Sequence, residues 1–233
     1  MTFVKRSLLP TLLAVLGVAW QLTSCAAETT ANLPPPSLDN PKQAGPLQTA
    51  VLSGGCFWGV QGVFEHVKGV QKVVSGYAGG DRSTARYQDV GTGNTGHAES
   101  VQITFDPAKV SYGELLQVFF SVAHDPTQAN GQGPDIGSQY RSMISYGDDS
   151  QKNIASAYIA QLGKTGVFSR PVVTKVAHLK GFYPAEGYHQ DFLALNPSNP
   201  YIVYNDLPKI ANLKRLFPDY YSDRPVLLAQ ANR

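Results

Sequence analysis

The stretch Val51-Leu52-Ser53-Gly54-Gly55-Cys56-Phe57-Trp58-Gly59 constrains the fold more than any other part of the chain. It reads as the end of a strand, a two-glycine turn, and a cysteine opening a helix that runs on to Val67. Paired glycines allow backbone angles that other residues avoid, so the chain can turn sharply and lift Cys56 onto the start of the helix. The unpaired N–H groups and positive dipole end found there favour a thiolate. The expectation is therefore a thiol titrating below its free value of about 8.5, in its nucleophilic form. Phe57 and Trp58 beside it suggest an apolar pocket for a small, soft substrate group. The competing reading is a buried structural cysteine among core aromatics.

With 233 residues, 42% of them hydrophobic, the chain can bury one ordinary core. Its formal charge is +2, but Lys5 and Arg6 lie in a signal-like segment; without them 17 basic residues balance 17 acidic ones. That argues against a nucleic-acid partner, which calls for a basic surface. Two cysteines, Cys25 and Cys56, exclude a disulfide framework and a multi-thiolate zinc site. The five histidines show no metal-ligand spacing, so no metal is expected.

Residues 1–24 carry a short basic start, then the apolar run Leu8 to Trp20, with the layout of a secretory signal. The segment ends in Leu22-Thr23-Ser24-Cys25, which resembles the lipobox of bacterial lipoproteins. The resemblance implies lipidation of Cys25 and a mature chain held at the bacterial cell envelope, facing the periplasm. Ala26 after the cysteine points to the outer membrane. An ordinary signal cut near Ala27, giving a soluble periplasmic or secreted protein, is the alternative. Residues 25–46 are polar and proline-rich and read as an extended tether. The folded domain is expected over 47–233. Its pattern predicts strands at 47–53, 70–78, 98–105, 140–146 and 171–177. Helices are predicted at 57–67, after Ser111, and at 149–161, the last closed by Gly163. The loop from His124 to Gly137 separates two of these elements, and short helices and loops follow Phe182. Such interleaving without a long parallel run favours an α+β fold, a two-layer α/β sandwich.

Four further segments accompany the first. They are Tyr87-Gln88-Asp89-Val90 with Gly93-Asn94-Thr95-Gly96-His97-Ala98-Glu99, His124-Asp125-Pro126-Thr127-Gln128, Gln132-Gly133-Pro134-Asp135-Ile136-Gly137-Ser138-Gln139-Tyr140-Arg141-Ser142, and Phe182-Tyr183-Pro184-Ala185-Glu186-Gly187-Tyr188-His189-Gln190. In order and spacing, over about residues 50–195, they closely resemble the methionine sulfoxide reductase A family. Each segment alone is weak, but GGCFWG with TGHAE and QYRS is specific. The resemblance implies a ferredoxin-like core with long loops and reduction of the S epimer of methionine sulfoxide, free or in oxidised proteins. No cofactor is implied beyond an external thiol reductant such as thioredoxin or glutathione, and the protein is expected to act as a monomer.

The chemistry accounts for the residue types. A sulfoxide sulfur is electrophilic only if its oxygen is protonated or strongly hydrogen-bonded as the S–O bond breaks, so a thiolate must face an acid. By the resemblance, Cys56 is the nucleophile, Glu99 supplies the proton, Tyr87 and Tyr140 point hydroxyls at the oxygen, and Asp135 positions substrate or water. Phe57 and Trp58 would hold the S-methyl group, with His189 in the site wall. A glutamate in a semi-apolar pocket can keep its proton near neutral pH. Taken singly, Glu99 in an alternating strand reads as solvent-facing and Asp135 as a turn residue. His97 and His124 read as structural.

Gln61 and Lys175 stand where the family often has acidic residues. The larger departure is that no cysteine follows Cys56, so the internal disulfide formed by many members has no second thiol here. Two other readings share the single cysteine. A thiol peroxidase would call for a Thr/Arg-assisted peroxide site, and a non-catalytic lipoprotein binding module would keep the pocket without turnover.

Overall fold

The computed structural model describes residues 31–228. The signal segment and Cys25 lie outside the described residues. Six strands form one sheet: β1 (Gln48–Ser53), β2 (Val70–Ala78), β3 (Ala98–Phe105), β4 (Met143–Tyr146), β5 (Lys175–His178) and β6 (Phe182–Pro184), in the order β5-β4-β1-β3-β2-β6. All neighbours are antiparallel except β4 and β5. The central four, with α1 (Phe57–Glu65) after β1 and α2 (Tyr112–Val118) after β3, reproduce the ferredoxin-like order expected of an α+β sandwich.

Period-two alternation aims Val101, Ile103 and Phe105 of β3 inward, where all three are fully buried with Leu52 and Val73. Val60, Val63 and Phe64 of α1 and Leu115, Leu116 and Phe119 at the end of α2 join them in one core cluster. Ser111 and Glu114 start α2 with a reciprocal capping box, which satisfies two N–H groups left over by the helix. A π-helical turn, Phe119–Ala123, continues it into the loop at His124.

Several boundaries move. The strand expected at 140–146 begins as a 3-10 turn over Ser138–Tyr140, and the one expected at 171–177 is β5. The helix α3 runs Asp149–Thr165 and is closed by Gly166, in the left-handed conformation at φ 70°, not by Gly163. Toward the C-terminus, a π turn (Ile202–Asp206) leads into α4 (Leu207–Leu216).

The expected tether is corrected more substantially, because its second half is docked on the domain. Leu33 is 1% exposed, and its carbonyl accepts from Gln117 Nε2 at 2.7 Å. The carbonyls of Pro34 and Pro35 accept from Tyr158 Oη and Gln161 Nε2 at 2.8 and 2.9 Å. Asp39 accepts from the Gly113 N–H at 2.9 Å. Prolines have no N–H to satisfy, so side-chain donors on α2 and α3 suffice to hold this stretch without a strand ladder.

Candidate active site

The site is assembled where β1 hands over to α1. Gly55 has φ 94°, and a β-carbon there would fall 2.6 Å from Gln132 Cβ, so glycine is required both by conformation and by space. Gln132 is held in turn by its side-chain amide, which bonds Asp125 N and O at 3.0 and 2.6 Å. Cys56 then occupies the N-cap of α1 and makes no side-chain capping bond.

Glu99 is the second residue of β3, beside β1, and is 3% exposed. Its Oε2 accepts the Phe57 N–H at 3.0 Å, which ties the first turn of α1 to the strand. Glu99 shares the inward face of Val101, Ile103 and Phe105, which overturns the solvent-facing reading that its charge alone suggests. Two staples bring in the other motifs. Arg141 donates to the carbonyls of Gly96, His97 and Ser138 at 2.8, 2.9 and 2.8 Å, joining TGHAE to QYRS. Glu186 accepts from the Tyr87 N–H at 2.9 Å and from Tyr77 Oη at 2.8 Å, fixing the turn that carries Tyr87.

The result is a pocket of about 190 Å³. Cys56, Phe57 and Trp58 form one side, with Glu99, Tyr87, Tyr140 and Asp135 around it. The eighth lining residue, Tyr201, was not anticipated. Its hydroxyl donates to Asp135 Oδ2 and its ring meets Trp58 edge-on at 5.9 Å. It is one of 12 tyrosines, and no local pattern singles it out. His189 stands behind the wall rather than in it. It is buried, accepts from Trp58 Nε1 at 3.2 Å and packs on Tyr87 and Phe57 with centroids 4.4 and 5.0 Å away. His97 and His124 serve their loops. The ring nitrogens of His97 bond Gly80 and Asp81, and those of His124 bond Phe119 and Ser142. Gln61 is buried, with its side chain bonded to Val73, Ser75 and Asp191.

The electrostatics run partly against expectation. Burial pushes the Glu99 carboxyl up to about 8, with Asp135 adding to it and the Phe57 N–H opposing it, so the group holds a proton at neutral pH. Burial likewise raises Asp135, against the Tyr201 hydrogen bond and the charge of Lys209. Burial also raises Tyr87 and Tyr140, which stay as neutral donors. The expected low thiol pKa of Cys56 is not found. Cys56 is only 9% exposed, and burial, then Glu99 and Asp206, drive its thiol well above the usual range. The Trp58 N–H at the helix start opposes them. Desolvation and two acids from distant segments outweigh the helix terminus.

A thiol facing a protonated carboxyl and two phenolic donors across a one-side-chain pocket suits transfer of oxygen from a small electrophile to sulfur. No threonine or arginine lines the pocket, so the peroxide site of a thiol peroxidase is not what these residues build. Among the described residues, no cluster of three His, Cys, Asp or Glu is placed to hold a metal ion. The site is thus of the thiol-dependent oxidoreductase class.

Comparison with known proteins narrows the class. The family model for peptide methionine sulfoxide reductase matches residues 48–220. A peptide methionine sulfoxide reductase MsrA 2 from Mesorhizobium japonicum is 64% identical over 191 residues, covering 82% of this chain and 98% of that protein. A protein of the same name from a Synechocystis species is 50% identical over 195 residues, covering 82% and 89%. Among solved structures, the reduced form of Mxr1 from Saccharomyces cerevisiae aligns at TM-score 0.59 and 32% identity, covering 67% of this chain and 91% of that one. Methionine sulfoxide reductase A of Corynebacterium diphtheriae aligns at 0.57 and 31%, covering 73% and 90%. The chain belongs to the peptide methionine sulfoxide reductase family.

Proposed function

We propose that this protein reduces the S epimer of methionine sulfoxide, free or in oxidised proteins, by a one-cysteine cycle. One observation carries the reading: Cys56 and a protonated Glu99 line the same small pocket. The Cys56 thiolate attacks the sulfoxide sulfur while Glu99 protonates the oxygen, with Tyr87 and Tyr140 hydrogen-bonding it and Phe57 and Trp58 enclosing the methyl group. Asp135 positions substrate or water, and His189 braces Trp58 and Tyr87. The oxygen passes to Cys56 as a sulfenic acid, methionine leaves, and the two electrons come from the cysteine. No cysteine follows Cys56, so a thioredoxin-like protein or a small thiol such as glutathione must attack the sulfenic acid. That attack forms a mixed disulfide and expels the oxygen as water, and a second thiol then attacks the mixed disulfide, restoring the Cys56 thiol and leaving as the oxidised disulfide of the reductant.

The purified chain, given methionine sulfoxide without reductant, should release one methionine per enzyme and become one oxygen heavier at Cys56. Several turnovers without reductant, or an intramolecular disulfide, would exclude this cycle. The basic start, the apolar run and Leu22-Thr23-Ser24-Cys25 support anchoring through lipid on Cys25, at a bacterial membrane and facing the periplasm. Fractionation of cells carrying the wild type and Cys25→Ala decides this point; equal solubility of the two refutes it.

A further inference from the structure

Under the first turn of α1 lies a charged pair that the oxygen-transfer chemistry leaves unused. Asp206 is fully buried, Lys209 is 5% exposed, and Lys209 Nζ lies 3.2 Å from Asp206 Oδ1. Buried ion pairs are weak sources of stability, because desolvation consumes much of what their attraction returns. Their location is more informative. A β-carbon on Gly59 would fall 2.0 Å from Asp206 Oδ1 and 3.1 Å from Lys209 Nζ. Gly59 is the third residue of α1, so the carboxylate lies directly against the helix start, three residues from Cys56. The helix has no acidic residue of its own in that turn. Its positive end is therefore shared by Asp206, from a segment some 150 residues away in sequence, and by the sulfur of Cys56.

We propose that Asp206 and Lys209 are positioning residues that set how readily Cys56 gives up its proton, the carboxylate competing with the thiolate for the start of α1 and the ammonium offsetting that competition. This rests on Cys56 being the nucleophile. Asp206 is among the charges that raise the thiol, and Lys209 acts in the opposite sense on Asp135 across the pocket. The other groups facing Cys56 are Glu99 and Asp135 and the hydroxyls of Tyr87, Tyr140 and Tyr201. The arrangement keeps the resting sulfur as a thiol, which is less prone to oxidation by adventitious oxidants than a thiolate.

The test is the pH dependence of iodoacetamide alkylation at Cys56 in the full chain, read by the mass of the modified peptide. Asp206→Asn should lower the midpoint by about one pH unit, giving about tenfold faster alkylation at a pH below it. Lys209→Met should raise the midpoint by a similar amount, and Lys209→Arg should restore it. A purely structural pair would lower the melting temperature of these variants and leave the midpoints in place, which would overturn the proposal. If Asp206→Asn does not fold, the opposite shift in Lys209→Met decides the matter. Alkylation involves no sulfoxide, so this result stands apart from whether methionine sulfoxide is the substrate.

Discussion

Replacing Glu99 by Gln should make Cys56 more reactive toward an alkylating agent and the enzyme much less reactive toward a sulfoxide. The two effects have one origin. After burial, the Glu99 charge does most to raise the Cys56 thiol, but it acts only when ionised. With its carboxyl at about 8, it is about nine-tenths neutral at pH 7 and about nine-tenths ionised at pH 9. A buried neighbouring charge moves a pKa by about one to three units. Alkylation of Glu99→Gln should therefore exceed wild type by about tenfold or more near pH 9 and match it near pH 6. Sulfoxide reduction behaves in the opposite way, because Gln has no proton to transfer; the loss should be about 10²–10⁴-fold. The wild-type profile of kcat/KM carries a second signature. Since the thiol titrates above the carboxyl, the productive state, thiolate with protonated Glu99, has the same proton count as thiol with carboxylate. Activity should climb as pH rises through about 8 and fall once the second proton leaves. Stopped alkylation assays and single-turnover methionine release measure both arms. Equal alkylation at pH 9, or a variant retaining more than about a tenth of wild-type reduction, would refute the assignment of Glu99 as the acid.

Tyr201→Phe removes the donor that lowers the Asp135 carboxyl, so Asp135 should titrate higher and kcat/KM at neutral pH should fall by about tenfold, as expected for one hydrogen bond to a charged group. An unchanged pH profile would count against it. Leu33→Ala should destabilise the domain by about 2 kcal/mol in urea unfolding, toward the low end for a buried leucine since this stretch is held by side-chain bonds and not by a strand ladder. No change would show that residues 33–40 are not part of the cooperative unit. Burial and Asp191 push the Glu65 carboxyl up to about 9, so the folded state retains a proton that the unfolded chain loses near the ordinary glutamate value. Its contribution to stability is therefore complete in acid and lost as pH rises toward about 9. Glu65→Gln should flatten that slope, with a melting-temperature advantage over wild type that is larger at pH 9 than at pH 5.

What could be read from the sequence is what short-range chemistry dictates. Gly54 and Gly55 announce a turn that only glycine can make, and the turn is there, with Gln132 pressed against it. The capping box at Ser111 and Glu114 and the inward face of β3 follow from local rules as well. Failures begin where the deciding partner is far along the chain. Proline content announces an extended segment at 33–40 but not the donors Gln117, Tyr158 and Gln161 that hold it down. Gly163 reads as the residue that closes α3, yet the helix runs past it and Gly166 adopts the left-handed conformation instead. Tyr201 and the pair of Asp206 and Lys209 reach the site through the π turn and α4, which carry no motif.

Cys56 shows what this division means for reactivity. Local reasoning places it at a helix start and assigns it a low pKa, and the placement holds while the pKa does not. The Trp58 N–H stabilises the thiolate from one side, but Glu99 arrives from β3 and Asp206 from the end of the π turn, and both act on a sulfur with little water around it. A nucleophile tuned in this way gives up its proton more readily while the carboxyl beside it is neutral, the same condition under which that carboxyl can protonate a departing oxygen. Attack and protonation are thus coupled through one titration at Glu99. A motif of six residues can name the attacking atom, but the pH at which it attacks is set by charges that the motif does not contain.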